Sequence, residues 1–448
     1  MVREIGATVR LALPLILAQL AAVGTNMVDA VLAGHHSAHV LGAVAVGASI
    51  WSLAILSGIG MMMAVPPSVS QLDGAGRRHE IGAVFRQALW LALVMGLALW
   101  FGVRHASPLI ALVGVAPGLR AEVGEFLGAI SWGAPALTVY FALRGLSEGL
   151  SLTRPSMFFS LGGLAVLAPL GYVLMFGKLG FTPQGARGCG IATALVLWLE
   201  MLAFAFFIAR HRNYRGLGLG ERFDPPDAKR IGELLWVGLP MAVTLLAEGG
   251  LFVAVALAIG TLGEQVVASH QVALNIASFF FMVPLGLAMA ITVRVGHAVG
   301  RGDAQAVRYA GFCGIGLTLA TQALSAGLML TLPNVIASLY TRDAGVIATA
   351  TELIVLAGFF QFSDGIQVAS NGALRGLKDT RVSMVITLFA YWGVGMPVGW
   401  WLAFQRGLGA RGMWMGLIAG LSVAAVLLFT RFARSSFRER WRRAATAE

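Results

Sequence analysis

Residues 5–29 read IGATVRLALPLILAQLAAVGTNMVD, and residues 231–255 read IGELLWVGLPMAVTLLAEGGLFVAV. Shifted by 226 positions, Ile5-Gly6 meets Ile231-Gly232, Leu13-Pro14 meets Leu239-Pro240, and Gly24 meets Gly250. The same register carries on without a gap, so that Met63-Ala64 meets Met289-Ala290 and Gly74-x-Gly76 meets Gly300-x-Gly302. Further along, Ala142-Leu143-Arg144-Gly145-Leu146 recurs as Ala373-Leu374-Arg375-Gly376-Leu377. Thr153-Arg154 recurs as Thr380-Arg381, and Gly185-Ala186-Arg187-Gly188 as Gly409-Ala410-Arg411-Gly412. A repeat fixes architecture before any side chain is given a task. Here it predicts two similar lobes facing each other across one cleft.

Both opening stretches belong to a series of twelve apolar runs, from 11–33 to 413–430, each about 20 residues long and able to cross a hydrocarbon core. Hydrophobic residues make up 58% of the chain and charged residues 12%, with a mean hydropathy of +0.80. Soluble domains carry about twice that share of charge. Six runs per copy is an even number, so both copies enter the membrane from the same side, as parallel repeats. The predicted fold is therefore an all-α integral membrane protein of twelve transmembrane helices in two six-helix lobes. The lobes span 1–210 and 231–433. A charged linker containing Pro225-Pro226 occupies 211–230, and a basic tail occupies 434–448.

The net charge of +11 invites a nucleic-acid reading, but its distribution favours a membrane. With six spans per copy, 25 of the 32 Lys and Arg residues fall on the side that holds both termini. That bias is the positive-inside signal of an inner-membrane protein with cytoplasmic termini. The six arginines from Arg431 to Arg443 then read as a contact with lipid headgroups. The first apolar run resembles a signal peptide, yet its counterpart lies mid-chain, so it reads as a retained helix. Cys189 and Cys313 lie in apolar segments and form no disulfide framework.

Four acids sit inside spans: Asp29, Glu200, Glu248 and Asp364. A carboxylate in hydrocarbon costs at least roughly 2.5–3.5 kcal/mol, so function is the default reading for such a residue. Asp29 shares a helical face with Asn26 and, further back, Gln19. Asp364 shares one with Gln361 and Asn371, and Glu248 follows Thr244 by one turn. Such stripes line a wet cavity, and Gln367 joins them. Glu200, flanked by Leu199 and Met201-Leu202, reads as structural or interfacial. The three favoured acids break the repeat: Asp29 faces Val255, Glu248 faces Ala22, and Asp364 faces Gly133. Glu248 and Asp364 together suit the uptake of a proton or a shared cation, because desolvation and mutual repulsion both disfavour two bare charges.

Other motifs carry less. Gly145-Leu-Ser147-Glu-Gly149 fits a nucleophile elbow but follows no strand. Gly407-Leu-Gly409-Ala-Arg-Gly412 joins two spans, not a strand and a helix, and no P-loop sequence occurs, which removes an ATP-driven pump. His35, His36 and His39 form an outer-loop cluster without metal-ligand partners. His270 and His297, near the ends of the eighth span, read as interfacial.

At these residues the sequence resembles the NorM-type branch of the multidrug and toxic compound extrusion (MATE) family. The resemblance rests on Met27-Val28-Asp29 with Ala33-Gly34, Ala48-Ser49-Ile50-Trp51, and Gln71-Leu72-Asp73-Gly74-Ala75-Gly76-Arg77. In the second half it rests on Glu248, Ala268 through Asn275, Val293 through His297, and Asp364 through Val368 with Leu374 through Asp379. It implies a monomeric twelve-helix antiporter that exports organic, often cationic, compounds in exchange for sodium or protons. No cofactor beyond the coupling ion is implied, and Asp29, Glu248 and Asp364 match the family's cation-coupling acids. Fifth-helix asparagines of some relatives stand here as Leu167 and Gly171. Sodium wants several oxygen ligands, so this departure disfavours sodium at Asp29 and leaves it a proton. The alternative, a flippase for lipid-linked sugars or lipids, is expected to need cationic residues in the cleft for a pyrophosphate. None is visible within the spans.

Overall fold

The structure, a computed structural model, describes residues 2–106, 108, 110, 116–220 and 223–437. Among them no strand occurs, and twelve helices are long and apolar enough to cross a membrane. The first six are α1 (Glu4–His36), α2 (Ala38–Gly74), α3 (Arg78–Arg104), α4 (Pro117–Gly149), α5 (Arg154–Phe176) and α6 (Gly185–Arg210). The second six are α7 (Ala228–Gly260), α8 (Glu264–Gly300), α9 (Ala304–Thr331), α10 (Ala344–Gly376), α11 (Thr380–Gln405) and α12 (Gly409–Phe437). Of the basic tail, Arg431 and Arg434 lie on α12, whereas Arg438, Arg440, Arg442 and Arg443 are outside the described residues.

Local signals begin and end these helices. Ser37 caps α2 by accepting from the Val40 amide, and Asp303 and Asp343 cap α9 and α10 by accepting from Ala306 and Val346. The repeated Gly-x-Gly closes the same turn twice. Gly76 and Gly302 take φ of +74° and +69°, a left-handed backbone that glycine adopts without strain. That lets the Arg77 amide reach the Leu72 carbonyl at 3.0 Å and the Asp303 amide reach Ala298 at 3.1 Å, the same helix-ending bond in both copies.

The turns also correct one register. Ser151 and Lys378 both hold a positive φ, and the bonds Leu152 N to Ser147 O and Asp379 N to Leu374 O match at a shift of 227. Gly149 packs on Val69 and Pro66, and Gly376 packs on Val295 and Thr292, in the same frame. The recurrence of Ala142–Leu146 as Ala373–Leu377 is thus one helical turn out of step. In space Glu148 corresponds to Arg375, and Asp364 corresponds to Leu137, not Gly133. Both helices place small residues four apart, and that spacing gives the sequence two comparable frames.

Packing divides the chain differently from the repeat. One compact unit comprises Met1–Ile16 with Val243–Glu448, and the other comprises Leu17–Ala242. Both boundaries lie inside a helix, two residues after Pro14 in α1 and two after Pro240 in α7. The opening of α1 is fixed within its unit by Glu4, which accepts from Arg294 Nε and Nη2 at 2.9 and 2.5 Å, and by Ile16 against Gly286. The opening of α7 is fixed within the other by Ala242 against Gly60 and Gly238 against Met61. Those glycine contacts are repeat equivalents, so the exchange of opening segments is built into both copies.

The linker is strapped down. Arg86 of α3 holds Asp224 through Nε and Nη2 at 2.8 and 2.6 Å, and Trp90 donates to the Asp224 carbonyl at 3.0 Å. Gln87 bridges the Pro225 carbonyl and the Asp227 amide. A charge-assisted bond of this kind contributes about 1.5–3 kcal/mol. Arg86→Ala should therefore raise tryptic cleavage at Arg215 and Lys229 by roughly tenfold in timed digests, as local opening becomes more populated. An unchanged cleavage rate would show that the remaining contacts hold the linker alone.

Within the second unit of the repeat, α11 and α12 meet through glycines. Gly412, Gly416 and Gly420 of α12 face Ala403, Gly399 and Gly395 of α11, backbone against backbone. Beside this seam α11 departs from α-helical bonding: Phe389–Gly395 and Trp401–Gln405 are π-helical, on either side of Pro397. Such wide turns recur at functional sites, and this one sets the position of Tyr391.

Candidate ion-coupling sites

Asp29 lies on α1, and its Oδ2 accepts from the Thr193 hydroxyl of α6 at 3.3 Å. The Cys189 thiol, one turn earlier on α6, also reaches the carboxylate, while Oδ1 is buried without a partner. On the α5 side the surroundings are apolar: Leu167 is fully buried in a cluster with Val28, Ala192 and Val196, and Gly171 abuts Leu32. Asn26 is exposed on the same helix. Gln19 does not join Asp29. Its Oε1 accepts from Arg144 Nη2 at 3.0 Å, and Arg144 Nε donates to Glu148 at 2.5 Å. Glu200 packs against Gly163, within electrostatic reach of Arg144 and Tyr140.

In the other compact unit, Asp364 of α10 is 2% exposed and within electrostatic reach of Glu248 on α7. Glu248 in turn senses Arg375, and the buried Tyr391 senses both carboxylates. Asp364, Asn371 and Arg375 fall at i, i+7 and i+11, one stripe along α10. Gln367, at i+3, is buried with Oε1 unpartnered, as are Ser370 Oγ and the Tyr391 hydroxyl. Unpaired oxygens deep in a protein are uncommon. Thr244 is buried one turn before Glu248. Gln361 points elsewhere: its Oε1 accepts from Gln322 at 2.5 Å and its Nε2 reaches Met329 Sδ, tying α10 to α9. Among the described residues, no three His, Cys, Asp or Glu side chains converge on one point.

The family model MatE matches the chain twice, over residues 14–173 and 240–401, one match for each repeat. The chain belongs to the MATE family. A probable multidrug resistance protein NorM from Xanthomonas campestris pv. campestris is 50% identical over 436 residues, 97% of this chain and 95% of the relative. The multidrug resistance protein PmpM of Pseudomonas aeruginosa is 44% identical, over 97% and 92%. An outward-facing MATE transporter of the MOP superfamily superposes with a TM-score of 0.89 at 20% identity, over 97% and 96% of the two chains. A eukaryotic MATE transporter gives 0.88 at 21% identity, over 98% and 99%. At those identities the likeness of the structures is one of fold.

In this MATE chain the acids were legible but their partners were not. Arg144 and Arg375 are each only 6% exposed, although both sit near helix ends where arginines ordinarily reach solvent. For Arg375 the sequence does hold a signal, its spacing of four from Asn371 and eleven from Asp364. Nothing in the sequence marks Tyr391, whose placement follows from the π-helical turn. His270 is also not interfacial. It is buried, and its Nδ1 accepts from the Trp414 indole at 3.2 Å.

Proposed function

We propose that the protein is a secondary active multidrug efflux transporter, exporting organic and often cationic compounds in antiport with protons by alternating access. The carrying observation is the charge balance around Asp364. Asp364 lies within electrostatic reach of Glu248 and Glu248 within that of Arg375, so two carboxylates and one guanidinium leave one negative charge to be neutralised. One monovalent cation satisfies it. At Asp29 the one oxygen partner is the Thr193 hydroxyl, which itself also reaches the Cys189 carbonyl, with Leu167 and Gly171 supplying none. That set suits a proton, whereas sodium wants more oxygens. The relatives named as multidrug resistance proteins support the substrate class.

The charge asymmetry of the loops supports a bacterial inner membrane with both termini cytoplasmic, and one chain supplies both copies of the scaffold. Asn26, Thr244, Gln367 and Asn371 are the polar groups assigned to substrate or ion with these acids. A lipid-linked-sugar flippase fits less well, because Arg144 is matched by Glu148 and Arg375 by Glu248, leaving no net positive charge for a pyrophosphate.

Drug export from proteoliposomes under separately imposed gradients tests the reading. A pH gradient without sodium is expected to drive export, and a sodium gradient at equal pH is expected to drive none. Sodium-only export would overturn proton coupling, and gradient-independent flux would overturn antiport. Asp29→Asn should lose at least roughly tenfold in proton-driven export, as a residue placed at such cost in a span implies. Wild-type export by Asp29→Asn would remove Asp29 from coupling.

A further inference from the structure

Away from the acids, a groove of about 690 Å³ runs between α4 and α6, with the end of α3 beside it. Its depth comes from small residues on α4: a Cβ added to Gly124 or Gly128 would meet nothing within 4 Å. Two guanidinium groups, Arg104 and Arg187, line it with one carboxylate, Glu125. Neither arginine has an ion-pair partner among the described residues. The repeat makes this informative. Arg411, the counterpart of Arg187, is neutralised by Glu352, so the second copy closes an ion pair where the first leaves a charge available. The lining of the groove sums to one positive charge.

The other wall is aromatic. The Arg104 guanidinium lies 6.0 Å from the Trp100 ring centre and 5.7 Å from that of Trp132, and the Trp198 indole donates to the Trp132 carbonyl at 2.9 Å. Trp132 is 55% and Trp198 38% exposed, although both lie inside membrane spans. Exposed residues further along α6, Leu199, Leu202 and Phe206, are all apolar, as contact with hydrocarbon requires. An occupant must therefore be anionic at the arginines and apolar along the tryptophans. Amphipathic indoles and guanidinium groups are the usual partners of a lipid at the membrane boundary.

We propose that this groove binds one anionic phospholipid, its phosphodiester held by Arg104 and Arg187 and an acyl chain lying along Trp132 and Trp198. The net positive lining argues against a cationic drug. It also argues against a second copy of this chain, which would bring the same charges face to face.

The test is native mass spectrometry of the full chain, delipidated and then exposed to equimolar phosphatidylglycerol and phosphatidylethanolamine. One phosphatidylglycerol is expected to be retained in preference. Arg104→Gln/Arg187→Gln should retain roughly tenfold less, as loss of charge-assisted bonds implies, and Arg104→Lys/Arg187→Lys should retain an intermediate amount. Both arginines are exposed, so these variants keep the core intact. Equal retention by wild type and the glutamine variant overturns the proposal, as does preference for phosphatidylethanolamine or a mass that reports a second protein copy. A second measurement uses vesicles with brominated acyl chains. Brominated phosphatidylglycerol should quench tryptophan fluorescence more than brominated phosphatidylethanolamine, and Trp132→Phe/Trp198→Phe should erase that difference. A difference that survives in that variant also overturns the proposal.

Discussion

Asp364→Asn is expected to abolish gradient-driven export while leaving a folded protein that still binds drug. The substitution keeps volume and hydrogen bonding nearly constant and removes only charge, so the Glu248, Asp364 and Arg375 group goes from a net negative charge to neutral. Unit charges 4 Å apart interact by about 4 kcal/mol at an effective dielectric near 20. Even a third of that attraction corresponds to roughly tenfold in cation affinity. Under an imposed pH gradient, the initial rate of export by Asp364→Asn should therefore fall to that of protein-free liposomes, and Glu248→Gln should behave alike. Arg375→Gln changes the sum the other way, to two negative charges. It should hold its proton too tightly, so that export recovers only when the proton-releasing side is made more alkaline. Undiminished transport by both carboxylate variants would remove this cluster from coupling.

The parts of this molecule visible in the sequence are those that depend on one segment alone. Leu13-Pro14 and Leu239-Pro240 placed the repeat, and the glycine turns at Gly76 and Gly302 fold as a matched pair because each needs only its own helix end. The acids were visible because a carboxylate in an apolar run has few bland explanations. Partners contributed by distant helices were not. Thr193 lies 164 residues from Asp29, and Tyr391 reaches the second-half acids only through a π-helical turn that no apolar pattern encodes. Gln19 and Gln361 share helical faces with the acids, yet Arg144 and Gln322 draw them into other contacts. The three-dimensional register adds a symmetry that the letters hid. Each compact unit holds one buried arginine and two carboxylates, Arg144 within reach of Glu148 and Glu200, and Arg375 within reach of Glu248, which in turn faces Asp364. The arginines arise one turn apart, so the charge balance recurs although the positions do not.

Gly416→Ala is expected to be among the most destabilising single-methyl substitutions in the chain. Its Cβ would overlap the backbone of Gly399, and the seam offers no relief on either side. Gly412 already abuts the backbone of Leu402 and Ala403, and Gly420 lies against Gly395, where an added Cβ would come within 2.9 Å of its Cα. Overpacking ordinarily costs about 1–3 kcal/mol, and a clash of backbone with backbone belongs at the upper end because no rotamer can relieve it. The thermal midpoint, followed by size-exclusion chromatography of heated detergent samples, should fall by roughly 5–10 °C. Gly162→Ala supplies the opposite sign: a Cβ there meets nothing within 4 Å, and alanine favours a helix over glycine by up to about 1 kcal/mol. An equal midpoint for the two variants would mean that α11 and α12 can separate freely. The first copy indicates why they do not. At the equivalent seam Ala192 stands in the register of Gly416 and Gly171 in that of Gly399, and a Cβ on Gly171 would clear Ala192 by 4.0 Å. Gly416→Ala thus writes the first copy's residue into the second copy's tighter seam. Because α11 carries Tyr391 beside Glu248 and Asp364, the protein that survives the substitution should also export more slowly.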